Sequence, residues 1–239
     1  MNDNKIDLSG LAEFIKKSHE KYKKIKDKTS PCGNFICKTL IDKNGFLIYS
    51  NDLYTTYDDI KAFYKTEKNE KNLFRFYYFK EIKNINDIGE RVVIVMMNPA
   101  FADSTEDDDT IENIKDYLSI INKKQNNKYK SFEIINLFPI RMPKDKNLNK
   151  LNEKIEEIFP NINSDYQKFV CSYLESAEAT KIVAAWGCKY HKTAKQLFCS
   201  KNIKFYCYGK NRDGSPRHFS NQAYRKKDNP FDDFKEYKF

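Results

Sequence analysis

Apolar and polar residues alternate in the second part of the chain in blocks that predict strands and helices in turn. From residue 91 onward, four short apolar runs are separated by segments with helical spacing. This alternation is typical of a parallel sheet that helices cover on both faces. The predicted strands are 91–97, 132–137, 181–186 and 203–208, and the predicted helices are 110–124, 148–158, 166–177 and 189–199.

The first 30 residues predict an amphipathic basic helix. Leu8, Leu11, Phe14 and Ile15 recur at helical spacing, and lysines fill many of the other positions. The pattern ends at Pro31, because proline breaks a helix. We therefore expect residues 1–30 to form a helical arm that is appended to the main body.

The segment 31–90 reads as β-rich. Apolar runs at 35–41 and 46–50 flank an Asn44-Gly45 pair, which favours a hairpin, and a third run follows at 73–82. We expect this segment to be the first part of a single α/β domain that spans 31–239.

Composition excludes disorder and fibrous repeats and gives a modest indication of a polyanionic partner. The chain has 239 residues, 40% of them hydrophobic and 15% aromatic, and a net charge of +9. The charge favours a polyanionic partner without naming one, and the spread of Lys, Asn, Ile and Tyr fits an AT-rich coding sequence equally well. The start of the chain does not resemble a secretory signal, and no apolar run is long enough to span a membrane. We expect a soluble cytoplasmic protein with reduced cysteines and no obligate protein partner.

Polar and sterically special residues follow each predicted strand. Ligands of open α/β sheets bind beyond the carboxyl ends of the strands, so these residues are the candidates for a site. The segments are Met97-Asn98-Pro99-Ala100-Phe101-Ala102-Asp103, Asn136-Leu137-Phe138-Pro139-Ile140-Arg141, Trp186-Gly187 and, after Gly209, Asp213-Gly214-Ser215-Pro216-Arg217-His218.

With Asp108-Asp109-Thr110 and Ala184-Ala185-Trp186-Gly187, these segments resemble a bacterial and phage domain family of unknown function. Its pattern is L-N-P-S-x-A-D, D-D-x-T, N-L-F-x-x-R, A-A-W-G and G-x-P-R-H-P. The resemblance covers 74–220 in order, with departures at Met97, Ala100 and Phe219.

That pattern is in turn similar to the uracil-DNA glycosylase superfamily. Its members carry an N-P or D-P turn after the first core strand and an H-P-S-type loop near the end. The similarity implies a three-layer α/β/α fold with a central, mostly parallel four-stranded sheet, to which this chain adds an N-terminal helix and a small β-rich extension. It also implies a site built from Asn98, Asn136, Gly187 and His218.

The chemistry of N-glycosidic bond cleavage suits these residue types. The sugar becomes oxocarbenium-like while negative charge grows on the departing base. Asn98 can orient the attacking water, and Asp103 on the same loop is the stronger general base, so either residue is a candidate for water activation. His218 can donate a hydrogen bond to a carbonyl oxygen of the base, and Asn136 can read its Watson-Crick edge.

The remaining candidates belong to the pocket wall and to the DNA backbone. Phe101 or Phe138 can stack on a flipped base, with Gly187 beside it. Phosphates can be bound by cationic side chains, namely Arg141, Arg217 and Lys189, with Lys192 and Lys210 extending the groove. No metal or redox cofactor is expected, and the spacing of the cysteines in particular does not fit an iron-sulfur cluster.

Structural explanations compete with these roles. An Asn before Pro commonly makes a turn, Asn136 can satisfy backbone groups, and Phe138 and Trp186 can be core residues. His191 is expected on the surface of a helix. The acidic stretch 106–109 can bind Mg²⁺, but capping of the following helix by Asp109 explains it more simply.

The leading hypothesis is a DNA glycosylase-like enzyme that flips a damaged or modified base, uracil or a modified pyrimidine, and hydrolyses its glycosidic bond. A role in phage defence would be an extension of that activity. One alternative is a hydrolase of free nucleotides or nucleosides. The other is a nucleic-acid-binding module without catalysis.

Overall fold

The computed structural model describes residues 35–39, 75–82, 89–99, 107–126, 128–140, 152–153, 155–157, 160–177, 181–220 and 232–239. The strands in these ranges are β1 (Phe35–Thr39), β2 (Tyr78–Ile82), β3 (Glu90–Met96), β4 (Tyr129–Asn136), β5 (Lys181–Ala184), β6 (Phe205–Cys207) and β7 (Lys235–Tyr237). Three longer helices are α1 (Asp109–Lys124), α2 (Ile162–Ser176) and α3 (His191–Phe198).

The described strands form one mixed sheet in the order β1-β2-β4-β3-β5-β6-β7. Strand β3 pairs in parallel with β4 and β5, and β5 pairs in parallel with β6. The outer pairs β1/β2, β2/β4 and β6/β7 are antiparallel. The predicted α/β class is confirmed, but the sheet is wider than the predicted four strands, because antiparallel strands extend it at both edges.

Two apolar cores lie on the two faces of the sheet. Alternate residues of β3 point to opposite faces, so Val92 and Ile94 pack with α1, while Val93 and Val95 belong to the core of α2 and α3. Helix α1 contributes apolar residues at helical spacing, namely Ile111, Ile114, Leu118 and Ile121. Burial on both faces explains why β3 reads in the sequence as an uninterrupted apolar run.

The chain reverses its direction of travel across the sheet at β3. From β3 it passes through α1 to β4 on one side, and from β4 through α2 to β5 on the other side of β3. A right-handed crossover in each direction places α1 and α2 on opposite faces. The carboxyl ends of β3 and β5 therefore flank a topological switch point, where open α/β sheets bind ligands. We call the side of the sheet at which β3, β4, β5 and β6 end the carboxyl edge.

The predicted elements agree with the structure in order and differ in their bounds. Strand β5 ends at Ala184 rather than at 186, helix α2 begins four residues before the predicted 166, and α3 is shorter than 189–199. Strand β7 was not predicted, since three residues are too few to show a period. The predicted arm 1–30 and the run 46–50 lie outside the described residues. Of the predicted helix 148–158, residues 152–153 and 155–157 are described, and they are helical.

Among the described helices, none combines the length and apolar character that a membrane crossing requires.

Asp233 ties the segment before β7 to the amino-terminal ends of β4 and β5. Its carboxylate accepts hydrogen bonds from Lys128, Lys181, the Tyr129 hydroxyl and the backbone N–H of Phe234. Burial opposes its ionisation, but the hydrogen bonds from Lys128, Lys181 and Tyr129 outweigh burial and lower the pKa of Asp233 to about 2.

We expect the Asp233→Asn variant to lose about 1–2 kcal/mol of unfolding free energy at pH 7, after discounting for partial exposure. A depressed folded-state pKa stabilises the fold above the unfolded value near 3.8, and this stabilisation is lost as the pH falls toward 2. Urea unfolding should therefore show a gap between the variant and the wild type at pH 7 that closes between pH 4 and pH 2. Asp232→Asn is the control, because the Asp232 carboxylate forms only an exposed pair with Lys235 at 3.4 Å among the described contacts. A gap that persists at pH 2 would contradict this account.

Candidate functional site

The segments after β3, β4 and β5 stay side by side at the carboxyl edge. The backbone N–H of Phe138 donates to Met97 O at 3.1 Å, and that of Ala185 donates to Val95 O at 2.8 Å. Met96 and Asn136 are paired in register. The structure therefore brings together Asn98, Asn136 and the turn at Gly187, as the strand-end rule predicts.

Asn136 is a fully buried amide at the end of β4. It lies on the same face as Ile134, which packs under α1, because side chains alternate along a strand. Neither its amide nitrogen nor its amide oxygen has a hydrogen-bond partner among the described residues. A buried amide without partners costs free energy, so Asn136 suits a ligand that supplies both a donor and an acceptor.

Asn136 is also fixed through its backbone. Its N–H lies 3.4 Å from the Tyr166 hydroxyl, which itself donates to Phe76 O at 2.7 Å. The other predicted amide, Asn98, is almost fully buried, and its Nδ2 donates to Pro99 O at 3.1 Å. This contact holds the amide plane of Asn98 at the turn after β3.

Gly187 and His218 are in contact although they are far apart in sequence. Gly187 has a φ of +77°, and a Cβ placed on it would lie 3.7 Å from the His218 Cβ. A residue with a side chain rarely adopts this conformation, so glycine is required by the backbone, and it leaves room beside His218.

We expect the Gly187→Ala variant to lose about 1–2 kcal/mol of unfolding free energy, because alanine is strained at positive φ. Gly214→Ala is the matched control: Gly214 has a φ of +82°, and a Cβ placed on it would have no neighbour within 4 Å. Both variants should be destabilised in urea, but only Gly187→Ala should shift the NMR signals of the His218 imidazole. Equal effects on His218 would show that the contact is unimportant.

The loop of His218-Phe219-Ser220 is anchored on the α1 face. The Tyr208 hydroxyl donates to His218 O at 2.7 Å, and Asn113 Nδ2 from α1 donates to Phe219 O at 2.8 Å. The Phe219 ring is fully buried and packs 4.3 Å from the ring of Tyr208, measured between centroids. Phe219 departs from the family pattern, and this packing gives it a structural role.

The hydrogen bonding of His218 defines its tautomer. The backbone N–H of Ser220 donates to His218 Nδ1 at 3.0 Å, so Nδ1 carries no proton and the neutral ring carries its N–H at Nε2. Desolvation by burial lowers the pKa of His218 to about 4, although the Asp108 carboxylate acts in the opposite direction. His218 is therefore a neutral hydrogen-bond donor at physiological pH.

The acidic residues before α1 have structural partners. Asp108, and not the predicted Asp109, caps α1, because its Oδ1 accepts from Ile111 N at 3.0 Å while Asp109 is already helical. Asp107 forms ion pairs with Lys80 and Lys115 and accepts a hydrogen bond from Tyr78. Two adjacent carboxylates made the exact cap position ambiguous in the sequence. Among the described residues, no group of three His, Cys, Asp or Glu side chains could hold a metal ion.

The predicted phosphate-binding residues lie on exposed turns near the site. Arg217 Nε donates to Lys210 O at 3.1 Å, and the Lys189 Nζ lies 5.5 Å from the Tyr190 ring centroid. Phe138 is half-buried and packs edge-on against Tyr190, with 5.7 Å between centroids. The exposed Lys192 lies on α3. Three predicted site residues fall outside the described residues, namely Phe101, Asp103 and Arg141.

Two features near the site were missed in the sequence. Arg75 is fully buried where the chain enters β2, although an arginine in an aromatic run usually indicates an exposed edge position. His191 is half-buried rather than a surface residue: its Nδ1 lies 3.2 Å from the Tyr237 hydroxyl, and its ring stacks on Phe239. For Arg75, its position directly before an apolar run was a sequence signal of burial. For His191 the sequence contained no such signal.

The fold and the site define an α/β protein with a candidate ligand site at the carboxyl edge of a mixed sheet. The chain belongs to the family described as "Protein of unknown function (DUF1643)", whose model matches residues 75–218. The predicted membership in a family of unknown function is confirmed. No curated protein and no solved structure matches the chain.

Proposed function

We propose that the protein is a DNA glycosylase-like enzyme, related in architecture to uracil-DNA glycosylases, that flips a damaged or modified base out of DNA and hydrolyses its N-glycosidic bond. The observation that carries the proposal is the hydrogen bond from Ser220 N–H to His218 Nδ1, 3.0 Å long. It leaves Nε2–H as the one ring donor of His218 at the switch point of the sheet.

A fixed neutral donor suits the charge that develops in this reaction. As the glycosidic C–N bond breaks, its electron pair leaves with the base, and negative charge grows on the base oxygen. The Nε2–H of His218 can donate to that oxygen without first losing or gaining a proton. Because Tyr208 and Asn113 hold the loop, the donor needs little reorganisation during the reaction.

Asn136 would bind the flipped base, and Asn98 would orient the attacking water. The buried amide of Asn136 can pair with the polar edge of a flipped base. Asn98, at the end of β3, can orient the water whose oxygen adds to the anomeric carbon. Asp103 remains the alternative activator of that water.

The direct test is release of bases from DNA. We would incubate the protein with DNA containing uracil and with phage DNA containing modified pyrimidines, and measure abasic sites and free bases by mass spectrometry. Release that vanishes in Asn98→Ala and in His218→Ala would support the proposal. Asn163→Ala on α2 and His191→Ala are the matched controls, and both should retain release.

The other functions predict different results. A hydrolase of free nucleotides would release bases from mononucleotides with little dependence on salt, whereas a protein that binds a strand loses affinity steeply as salt rises. Salt-sensitive DNA binding without release of any base would overturn the enzyme proposal and favour a binding module.

A further inference from the structure

The ladder of paired residues between β2 and β4 ends just before Asn136. Its last pair at the carboxyl edge is Tyr78 with Ile134, and the same register would place Phe76 opposite Asn136. The N–H of Asn136 points toward the β2 side of β4, because the next N–H, that of Leu137, donates to β3 at Met96 O. In a continued ladder it would donate directly to Phe76 O.

The two chains meet again beyond Asn136, but in a different register. The N–H of Arg75 donates to Pro139 O at 2.8 Å, whereas the register of the ladder would place Arg75 opposite Leu137, two residues earlier. The segment after β4 therefore contains two residues more than the segment beside it, as in a β-bulge. Bulges next to functional sites change the direction of the side chains that they carry. This irregularity starts at Asn136.

The hydroxyl of Tyr166 bridges the two chains at the start of the irregularity. Tyr166 lies in the second turn of α2. Its hydroxyl donates to Phe76 O at 2.7 Å and accepts from Asn136 N–H at 3.4 Å. A hydroxyl has one proton, so the proton given to Phe76 O leaves the oxygen lone pairs for Asn136. One side-chain oxygen thus stands where the ladder would have a backbone hydrogen bond.

Tyr166 is held firmly in this place. Its ring is fully buried and packs against the ring of Phe76, with 5.6 Å between centroids. The next residue of α2, Gln167, donates from Nε2 to Leu137 O at 3.4 Å, so α2 contacts two consecutive residues at the bulge. Burial raises the pKa of Tyr166, although the N–H of Asn136 acts in the opposite direction, and the hydroxyl keeps its proton at neutral pH.

The side chain of Asn136 does not fix its own direction through hydrogen bonds. Its amide nitrogen and oxygen are buried and have no hydrogen-bond partner among the described residues. The direction of the amide therefore depends on packing and on the backbone at the end of β4, which the Tyr166 bridge holds. A group that recognises a ligand acts best when neighbouring contacts orient it before the ligand arrives.

We propose that Tyr166 is a positioning residue, whose hydroxyl holds the end of β4 in the irregular register that directs the amide of Asn136 toward the base. The inference rests on the proposed function and adds to it a residue that acts through Asn136 without touching the substrate. Loss of the hydroxyl leaves Asn136 N–H and Phe76 O either unpaired or paired with each other. Direct pairing would straighten the end of β4 and turn the amide.

The first test measures the orientation of Asn136 in the free protein. The side-chain amide signals of Asn136 would be assigned in NMR spectra of isotope-labelled protein as the pair that disappears in Asn136→Ala. We expect these signals to shift by more than their linewidth in Tyr166→Phe. The matched control is Tyr173→Phe, which removes a buried hydroxyl of the same helix that contacts Glu133, and it should leave them in place. Unshifted signals in Tyr166→Phe, or equal shifts in both variants, would overturn the inference.

The second test asks whether Tyr166 acts through Asn136. Single-turnover rates would be measured on an oligonucleotide that contains the base released by the wild type, for Tyr166→Phe, Asn136→Ala and the double variant. We expect Tyr166→Phe to lower the rate by about 10- to 100-fold in the wild-type background. The same substitution should lower it by less than about 2-fold in Asn136→Ala, because the two effects are coupled. Equal losses in both backgrounds would overturn the inference, whatever the amide signals show.

Tyr166→Phe removes one oxygen atom and retains the ring, and thermal unfolding would verify that the variant folds. If it does not fold, para-aminophenylalanine at position 166 provides the second variant, since its amino group still donates to Phe76 O but accepts only weakly from Asn136 N–H. Both tests then apply to this variant. The amide signals should again shift, and the rate should fall by about 3- to 10-fold, a loss that disappears in Asn136→Ala.

Failure of the inference and failure of the proposed function give different results. If DNA releases a base in a manner that depends on His218 while the amide signals of Asn136 stay in place, the inference alone is wrong. If no DNA releases a base but the signals shift in Tyr166→Phe and not in Tyr173→Phe, the glycosylase proposal is wrong and the orienting role of Tyr166 is supported.

Discussion

Replacement of His218 by alanine is expected to lower the rate of base release by about 10²- to 10³-fold, the loss typical when one preorganised donor to a developing anion is removed. The fold should survive, because the loop is also held by the buried ring of Phe219 and by the hydrogen bond from Asn113 to Phe219 O. Single-turnover rates on an oligonucleotide that contains the base released by the wild type would measure the loss, and thermal unfolding would verify the fold.

The pH profile separates a neutral donor from a charged one. With the pKa of His218 lowered to about 4, the ring is neutral above pH 4, and it still carries its Nε2 proton. If the neutral ring is the donor, kcat/KM should show no titration of His218 between pH 5 and pH 8. A rate that declines as pH rises from 4 would instead require the charged ring. His191→Ala, the control for loss of an imidazole, should have the wild-type profile.

Replacement of Trp186 by alanine should have the largest effect on stability, about 3–5 kcal/mol of unfolding free energy. The indole is 1% exposed and is surrounded by the rings of Phe198, Phe205, Tyr237 and Phe239 at centroid distances of 5.4–6.0 Å. Removal of the ring would leave a cavity where β5, β6, β7 and α3 meet.

Urea unfolding would measure this loss of unfolding free energy, and two further variants serve as references for its size. Trp186→Phe should lose less, because it retains an aromatic ring in the same core. Phe239→Ala should also lose less, because Phe239 is 38% exposed and its removal opens the core only toward solvent. A loss below about 1 kcal/mol in Trp186→Ala would contradict this packing, since it would require complete collapse of the cavity.

The central strands and the strand-end residues were predictable because their positions follow from the local sequence pattern. Burial on both faces makes the β3 sequence Val92-Val93-Ile94-Val95 apolar throughout. Once parallel strands are recognised, their carboxyl ends must lie at one edge, which brings Asn98 and Asn136 together. The sequence predicted that Gly187 and His218 belong to one site, but it did not predict that they are in contact.

Features that depend on tertiary partners were not predictable. The burial of Arg75 follows from the ring of Tyr78 and from the turn at Pro139, which no local pattern encodes. Strand β7 exists because β6 offers it a hydrogen-bonding edge, while its own sequence is mostly charged. The tautomer of His218 depends on a single backbone N–H, that of Ser220.

Strand β7 lies beyond the 75–218 segment that the family model matches, yet its one aromatic residue, Tyr237, packs against Trp186 in the core of that segment. Tyr237 contacts His191 through its hydroxyl and the Lys210 ammonium through its ring, so it links the start of α3, which follows Gly187, to the segment that leads to His218. The part of the chain that the family model matches is therefore smaller than the part that packs together in one core. Ligand binding at the carboxyl edge should be thermodynamically linked to the docking of a strand outside the family signature, so that each protects the other from local unfolding.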